Sequence, residues 1–288
     1  MQKFYKYQGA GNDFLIADNR DATISEKDGV LSCRDSQGNF MEIRISDICD
    51  RRYGVGADGL MLLESSEHYD FHMVYFNSDG SGGMMCGNGG RCIVAFAADM
   101  GIDHFDFDAA DGFHSAEILR SEGKEKTVRL KMKDIREYKR YDSLTGPDVP
   151  SDGYFLDTGT RHFVRFVNDI DAYDIVTEGR NIRFNAVELL PVGANVNYVE
   201  PYENGIKVRT YEKGVEDETF ACGTGITASA IAAYLSTVAP SEVMQDGRVR
   251  YEVCAKRDPL AVDFIPEEDS FSDVWLTGPA TCVAEILL

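Results

Sequence analysis

Two cysteines in this chain sit in the same local pattern. Cys86 in FNSDGSGGMMCGNGGRC and Cys222 in TYEKGVEDETFACGTG each follow a polar, glycine-bearing loop and open a Cys-Gly-X-Gly turn, 136 residues apart. A helix-forming run follows each turn, so unpaired backbone N–H groups of a helix N-terminus gather where the thiol sits. Such a terminus holds an anion. Two of them facing each other would grip a carboxylate and leave its α-carbon with one sulfur on either side. One thiolate can then remove the α-proton while the opposite thiol delivers a proton to the other face, which inverts the centre. The enolate-like charge develops on carboxylate oxygens that the N–H groups already hold. A thiol pKa of about 8.5 falls toward neutrality at a helix N-terminus, so one sulfur can be ionised and the other protonated, and no cofactor is needed. Taken singly, each cysteine reads as a small buried hydrophobe. The repeated glycine context weighs against that for Cys86 and Cys222 and leaves it standing for Cys33, Cys49, Cys92, Cys254 and Cys282.

The elements that must position these thiols also repeat. FHMVYF (71–76) reads as a strand, followed by the loop, Cys86 and the helical run GRCIVAFAADMG, in which Ile93, Phe96, Ala97 and Met100 make one face and Gly101 the stop. GIKVRTY (205–211) alternates as a strand before Cys222 and ITASAIAAYLS, whose apolar or small residues on every side predict a buried helix wrapped by sheet. Two similar α/β halves are the simplest account. YGVGADG (53–59) matches a dinucleotide-binding glycine pattern, but it follows a helix-like run and leads into a strand, the reverse of a Rossmann turn.

Composition limits the function classes. The 288-residue chain is 43% hydrophobic and 27% charged, which describes a globular protein of two ordinary-sized domains. Its net charge of −20 opposes phosphate backbones and anionic lipid, so nucleic acid and membrane are not expected partners. Seven cysteines, an odd number, and no apolar leader in MQKFYKYQGAGNDF predict a cytoplasmic protein with reduced thiols. With no CxxC pair and no histidines at ligand spacing, no metal is expected.

Several motifs, in order, resemble the diaminopimelate epimerase family: YQGAGNDF (7–14), DRRYGVGADG (50–59), FNSDGS and MCGNGGRC, GANVNYV (193–199), and YEKG followed by ETFACGTG. The resemblance spans nearly the whole chain. It implies a cofactor-independent isomerase that converts LL- to meso-diaminopimelate, a precursor of lysine and peptidoglycan. It also implies two similar halves, each a curved, barrel-like sheet around a central helix, with the active site in the cleft between them, and a homodimer. Carried over by position, it makes Cys86 and Cys222 the acid/base pair, with His162 and Glu212 tuning the thiols. Gly87, Asn88, Gly223 and Thr224 would bind the reacting carboxylate, and Asn12, Asn77, Asn195 and Glu212 other groups of the amino-acid substrate. Read without the resemblance, Asn12 and Asn77 are ordinary turn residues.

This chain departs from the family pattern at three places. GTRH (159–162) replaces the usual GNPH, so Thr160 and Arg161 stand in a substrate-binding stretch; Lys213 stands where an Arg is common; and Gly59 replaces a frequent Gln. Lysine cannot reproduce the bidentate grip of a guanidinium on a carboxylate, and Arg161 is a candidate to compensate. A racemase for another amino acid and a catalytically silent amino-acid-binding relative are therefore the alternative readings. The expected organisation is residues 1–130 with 277–288 as the half bearing Cys86, and 131–276 as the half bearing Cys222. The segment around 22–43 carries no functional signal.

Overall fold

A computed structural model describes residues 3–35, 37–83, 85–149 and 152–287. The chain divides into two compact units, Met1–Leu130 with Gly278–Leu288, and Lys131–Thr277.

The first unit is a closed ring of eight strands. Phe71–Asn77 pairs with Gly59–Glu64, Gly59–Glu64 with Asn12–Asp18, Asn12–Asp18 with Lys3–Gly9, and Lys3–Gly9 with the end of Phe271–Leu287. Glu125–Lys131, Gly112–Glu122 and Asp106–Ala109 follow, and a parallel pairing of Phe71 with Phe107 closes the ring. Helix α1 (Ile45–Cys49) lies in the crossover between Asn12–Asp18 and Gly59–Glu64. Helix α2 (Gly87–Asp99) packs on the strands of the ring and is buried from Gly87 to Ala97. Leu60 and Leu62 belong to an apolar cluster with Leu31, Ile45 and Ile48, while Met61 approaches α2 at Gly89. Strands buried on both faces read as unbroken apolar runs such as LMLL. The segment around 22–43 supplies the cover: its three-stranded sheet (Ser25–Lys27, Val30–Arg34, Phe40–Arg44) packs Leu31 and Cys33 into that cluster.

The second unit repeats this order. Strands Gly153–Asp157, Arg161–Phe166, Asn195–Tyr202, Gly205–Glu212, Val249–Cys254, Pro259–Pro266 and the start of Phe271–Leu287 pair in succession. Met132, Ile135 and Glu137 then bond Val274, Phe271 and Asp157, which completes the circuit. Helix α3 (Ile175–Asn185) occupies the crossover that α1 fills in the first unit, and α4 (Gly223–Leu235) the place of α2. Each unit has two parallel pairings in equivalent positions, at Phe14 with Gly59 and Phe71 with Phe107, and at His162 with Asn195 and Ile206 with Val253. As its all-apolar pattern predicts, α4 is enclosed, with Gly225 to Ala233 buried.

Both central helices end in the same hydrogen-bonded turn. Ile102 N–H donates to Ala97 and Gly101 N–H to Ala98, with Gly101 at φ +84°. At α4, Val238 donates to Ala233 and Thr237 to Tyr234, but here Thr237 holds the left-handed position at φ +60°. No helix among the described residues is long and apolar enough to cross a membrane.

Candidate active site

In the first unit Cys86 is half-buried, in extended backbone immediately before α2, and its Sγ accepts the Gly89 N–H at 3.2 Å. The first helical bond runs from the Gly90 N–H to the Cys86 carbonyl, so Gly87 and Asn88 occupy the first turn beside the thiol. Asn88 donates from Nδ2 to Asn12 Oδ1 (2.5 Å), and its Oδ1 accepts from the fully buried Arg91 (2.9 Å). Asn12 donates in turn to Asp58 (3.0 Å), whose other oxygen accepts from Arg51 (2.6 Å). Arg51 also grips Asp13, which Lys6 approaches at 2.9 Å. Burial acts to raise the Asp13 pKa, but the two cations outweigh it and hold the carboxyl below its usual range. Asn12 and Asn88 are thus locked to each other beside the thiol. Asn77 stands apart from this network: it is exposed, and its Nδ2 donates to Ser81 Oγ across the 77–81 turn (3.0 Å).

Gly59 has a local reason. A Cβ there would lie 2.5 Å from Tyr75 Cε2, 2.9 Å from its hydroxyl and 2.6 Å from the Phe76 carbonyl. The Tyr75 ring therefore occupies the room a side chain at 59 would need, and Gly83 gives way to its opposite edge, 2.2 Å from where a Cβ would stand. Burial, with the Cys86 thiol as the next influence, pushes the Tyr75 phenol pKa up, so the ring carries a neutral O–H.

In the second unit Cys222 is half-buried before α4, where Gly223 and Thr224 are the first two helical residues. Its Sγ lies 3.4 Å from Thr224 Oγ1. His162 is fully buried, with Nε2 2.9 Å from Thr160 Oγ1 and 3.0 Å from Thr224 Oγ1. Its Nδ1 faces Asn197 Nδ2 at 3.0 Å, and Asn197 Oδ1 accepts from Thr210 (2.9 Å). Burial deprives an imidazolium of water and drives the His162 pKa down to about 3. A Cβ at Gly225 would stand 2.3 Å from Asn197 Oδ1 and 3.2 Å from His162 Cε1, so α4 approaches this group only because glycine is there.

The remaining expected residues are less concentrated. Asn195 bridges backbone: Nδ2 donates to the Arg161 carbonyl (3.1 Å), and Oδ1 accepts the Lys213 N–H (2.8 Å). Glu212 closes its strand half-buried, and Lys213 is exposed on the turn after it. Strand alternation sends the Arg161 side chain away from His162. Its guanidinium bonds the Leu189 carbonyl (3.2 Å) and stacks over Phe155 (5.0 Å), so it does not join Thr160, His162 and Thr224. Burial raises the thiols of Cys33, Cys92 and Cys49, the last to about 11, which makes all three poor thiolates.

Asn197, Tyr75, Arg91 and Asp58 enter this environment without having been singled out in the sequence. For Asn197 a signal existed: in NVN it shares a strand face with Asn195.

The fold places the chain in a known class. A Bacillus anthracis phenazine biosynthesis protein of the PhzF family superposes with a TM-score of 0.68 at 15% identity, over 99% of this chain and 98% of that one. A hydroxyproline epimerase from Agrobacterium vitis, solved with trans-4-hydroxy-L-proline, superposes with a TM-score of 0.67 at 12% identity, over 99% and 90%. The architecture is accordingly the two-half α/β fold of these proteins. Sequence narrows it further. The family model for diaminopimelate epimerase matches residues 4–134 and 154–263. Diaminopimelate epimerases of Chlorobaculum tepidum and Flavobacterium psychrophilum are 40% and 38% identical, over 96% and 98% of both chains in each case. The chain belongs to the diaminopimelate epimerase family.

Proposed function

We propose that the protein epimerises LL-2,6-diaminopimelate to the meso form, a step toward lysine and peptidoglycan, with Cys86 and Cys222 as its two acid/base groups. The observation that carries this reading is the duplication of one device. In each unit a half-buried cysteine stands at the N-cap of an enclosed helix whose first two residues are Gly87 and Asn88, or Gly223 and Thr224. One thiolate takes the α-proton, the other thiol supplies a proton to the opposite face, and the N–H groups of Gly87, Asn88, Gly223 and Thr224 steady the carboxylate as charge builds on it. Asn12, Asn77, Asn195 and Glu212 are assigned to the amino-acid head group, and Glu212 also to thiol tuning.

For the distal carboxylate we favour Lys213 over Arg161. Lys213 is exposed beside Glu212, whereas Arg161 already serves Leu189 and Phe155. A homodimer follows from the family resemblance, and a reducing, cytoplasmic setting suits a mechanism that needs a thiolate. Incubation with LL-diaminopimelate in deuterium oxide tests the activity: one α-proton signal should be replaced by deuterium as meso product forms. Exchange with another amino acid and none with diaminopimelate would favour the alternative racemase, and exchange with neither a silent binding protein.

A further inference from the structure

The polarity of the hydrogen bonds around His162 is fixed by one backbone carbonyl. Asn197 Nδ2 lies 3.0 Å from His162 Nδ1 and 3.4 Å from the Phe163 carbonyl oxygen. A carbonyl only accepts, so the atom facing both must be the amide nitrogen, and the amide oxygen turns to Thr210. His162 Nδ1 consequently accepts a hydrogen bond and carries no proton. We propose that Asn197 is a positioning residue for Cys222: it holds neutral His162 in the tautomer protonated on Nε2, and thereby aims a one-way line of donors at the Cys222 sulfur.

The line runs as follows in space. Nε2–H donates to the hydroxyls of Thr160 and Thr224, 2.9 and 3.0 Å away. Thr160 lies 3.0 Å from Thr224 and passes its own proton the same way. With its lone pairs facing donors, Thr224 directs its own proton to the Cys222 sulfur, 3.4 Å distant. A donor favours the charged form of the group that accepts it, so the arrangement stabilises the Cys222 thiolate while the imidazole itself stays neutral. Burial of the ring is consistent with its neutral state. The opposite tautomer would reverse the line: Nε2 would accept from a threonine hydroxyl and Cys222 would lose the Thr224 donor. Gly225 keeps the space in which Asn197 adopts this pose.

The inference rests on the assignment of Cys222 as an acid/base group, but its first test is independent of activity. Nitrogen-15 NMR of the histidine-labelled protein at pH 7 should show His162 with a protonated Nε2 and an unprotonated Nδ1. In Asn197→Asp, whose carboxylate demands a proton on Nδ1, that nitrogen should become protonated. Peptide-resolved alkylation by iodoacetamide across pH should place the Cys222 midpoint about one pH unit higher in Thr224→Val, a roughly tenfold smaller thiolate fraction at fixed pH. Thr224→Ser should restore it. A wild-type His162 protonated on Nδ1, or as imidazolium, would overturn the proposal, as would a Thr224→Val midpoint equal to wild type. Epimerisation that survives Cys222→Ala would instead remove the functional assignment while leaving the tautomer intact.

Discussion

At the level of single residues, the two thiols at helix N-caps are set apart by exposure from the buried Cys33, Cys49 and Cys92. Cys86→Ala and Cys222→Ala should each lower epimerisation by about 1,000-fold or more in steady-state assays, whereas Cys92→Ala should leave turnover near wild type. Cys92 is fully buried with its thiol pKa raised, so it offers neither access nor a thiolate. At the distal end, Lys213→Ala should raise KM roughly tenfold with little change in kcat, and Arg161→Ala should change KM less than about twofold. The cysteines and their glycines were legible in the sequence because capping geometry and close approach demand particular residue types at fixed spacing. Tyr75 was not, and Asn197 only as a neighbour of Asn195 on one strand face, because their meaning lies in what stands opposite: two glycines that yield room to a ring, and a carbonyl one strand away. Arg161 shows the converse. As a candidate to compensate for Lys213 it was legible only by residue type, while its direction, toward the Leu189 carbonyl and the Phe155 ring, depends on strand alternation and on what lies across from it.

At the level of elements, the enclosed helices were legible from pattern alone, since a run without a polar face has to be surrounded. The sheets around them were less so, because strand pairing joins residues hundreds of positions apart, as Lys3 with Leu287. The 121–153 stretch, charged and dotted with glycine and proline, reads in sequence as a separator of the halves with parts that alternate like a strand, and it contributes the strands Glu125–Lys131 and Tyr138–Tyr141. One element carries a correctable strain. Thr237 ends α4 at φ +60°, a conformation that costs a β-branched residue about 1–2 kcal/mol. Thr237→Gly should stabilise the protein by about 0.5–1 kcal/mol in urea unfolding, after the entropy glycine loses on folding. Gly59→Gln should do the reverse, costing about 1–3 kcal/mol, because the added Cβ meets the Tyr75 ring and the Phe76 carbonyl.

At the level of the whole molecule, acid should weaken the fold in two stages. His162 has a folded pKa of about 3 against about 6.5 when unfolded, so between these values only the unfolded chain takes up the proton. Stability from this source is complete above pH 6.5 and falls by up to about 1.4 kcal/mol for each pH unit below it, or about 2 kcal/mol by pH 5. Asp13, Asp273 and Glu218 act later. Their folded pKa values lie below the usual carboxylate range, so their contribution persists down to about pH 4 and is lost as pH falls further. Urea midpoints at pH 7 and pH 5 should therefore differ in wild type, and the difference should shrink in His162→Gln.

The long strand Phe271–Leu287 pairs at its start with Pro259–Pro266 in one unit and at its end with Lys3–Gln8 in the other. For a protein made from its N-terminus, that imposes a schedule. When the ribosome has finished residue 130, the first ring still lacks a stave that is translated only after the second unit. Its edges on Lys3–Gly9 and Glu125–Lys131 stay open throughout synthesis of the second unit, as sites for chaperones or for wrong pairing. A fragment of residues 1–130 should accordingly stay non-native by circular dichroism and amide exchange, and a synthetic peptide of residues 278–288 should bring it to the folded state.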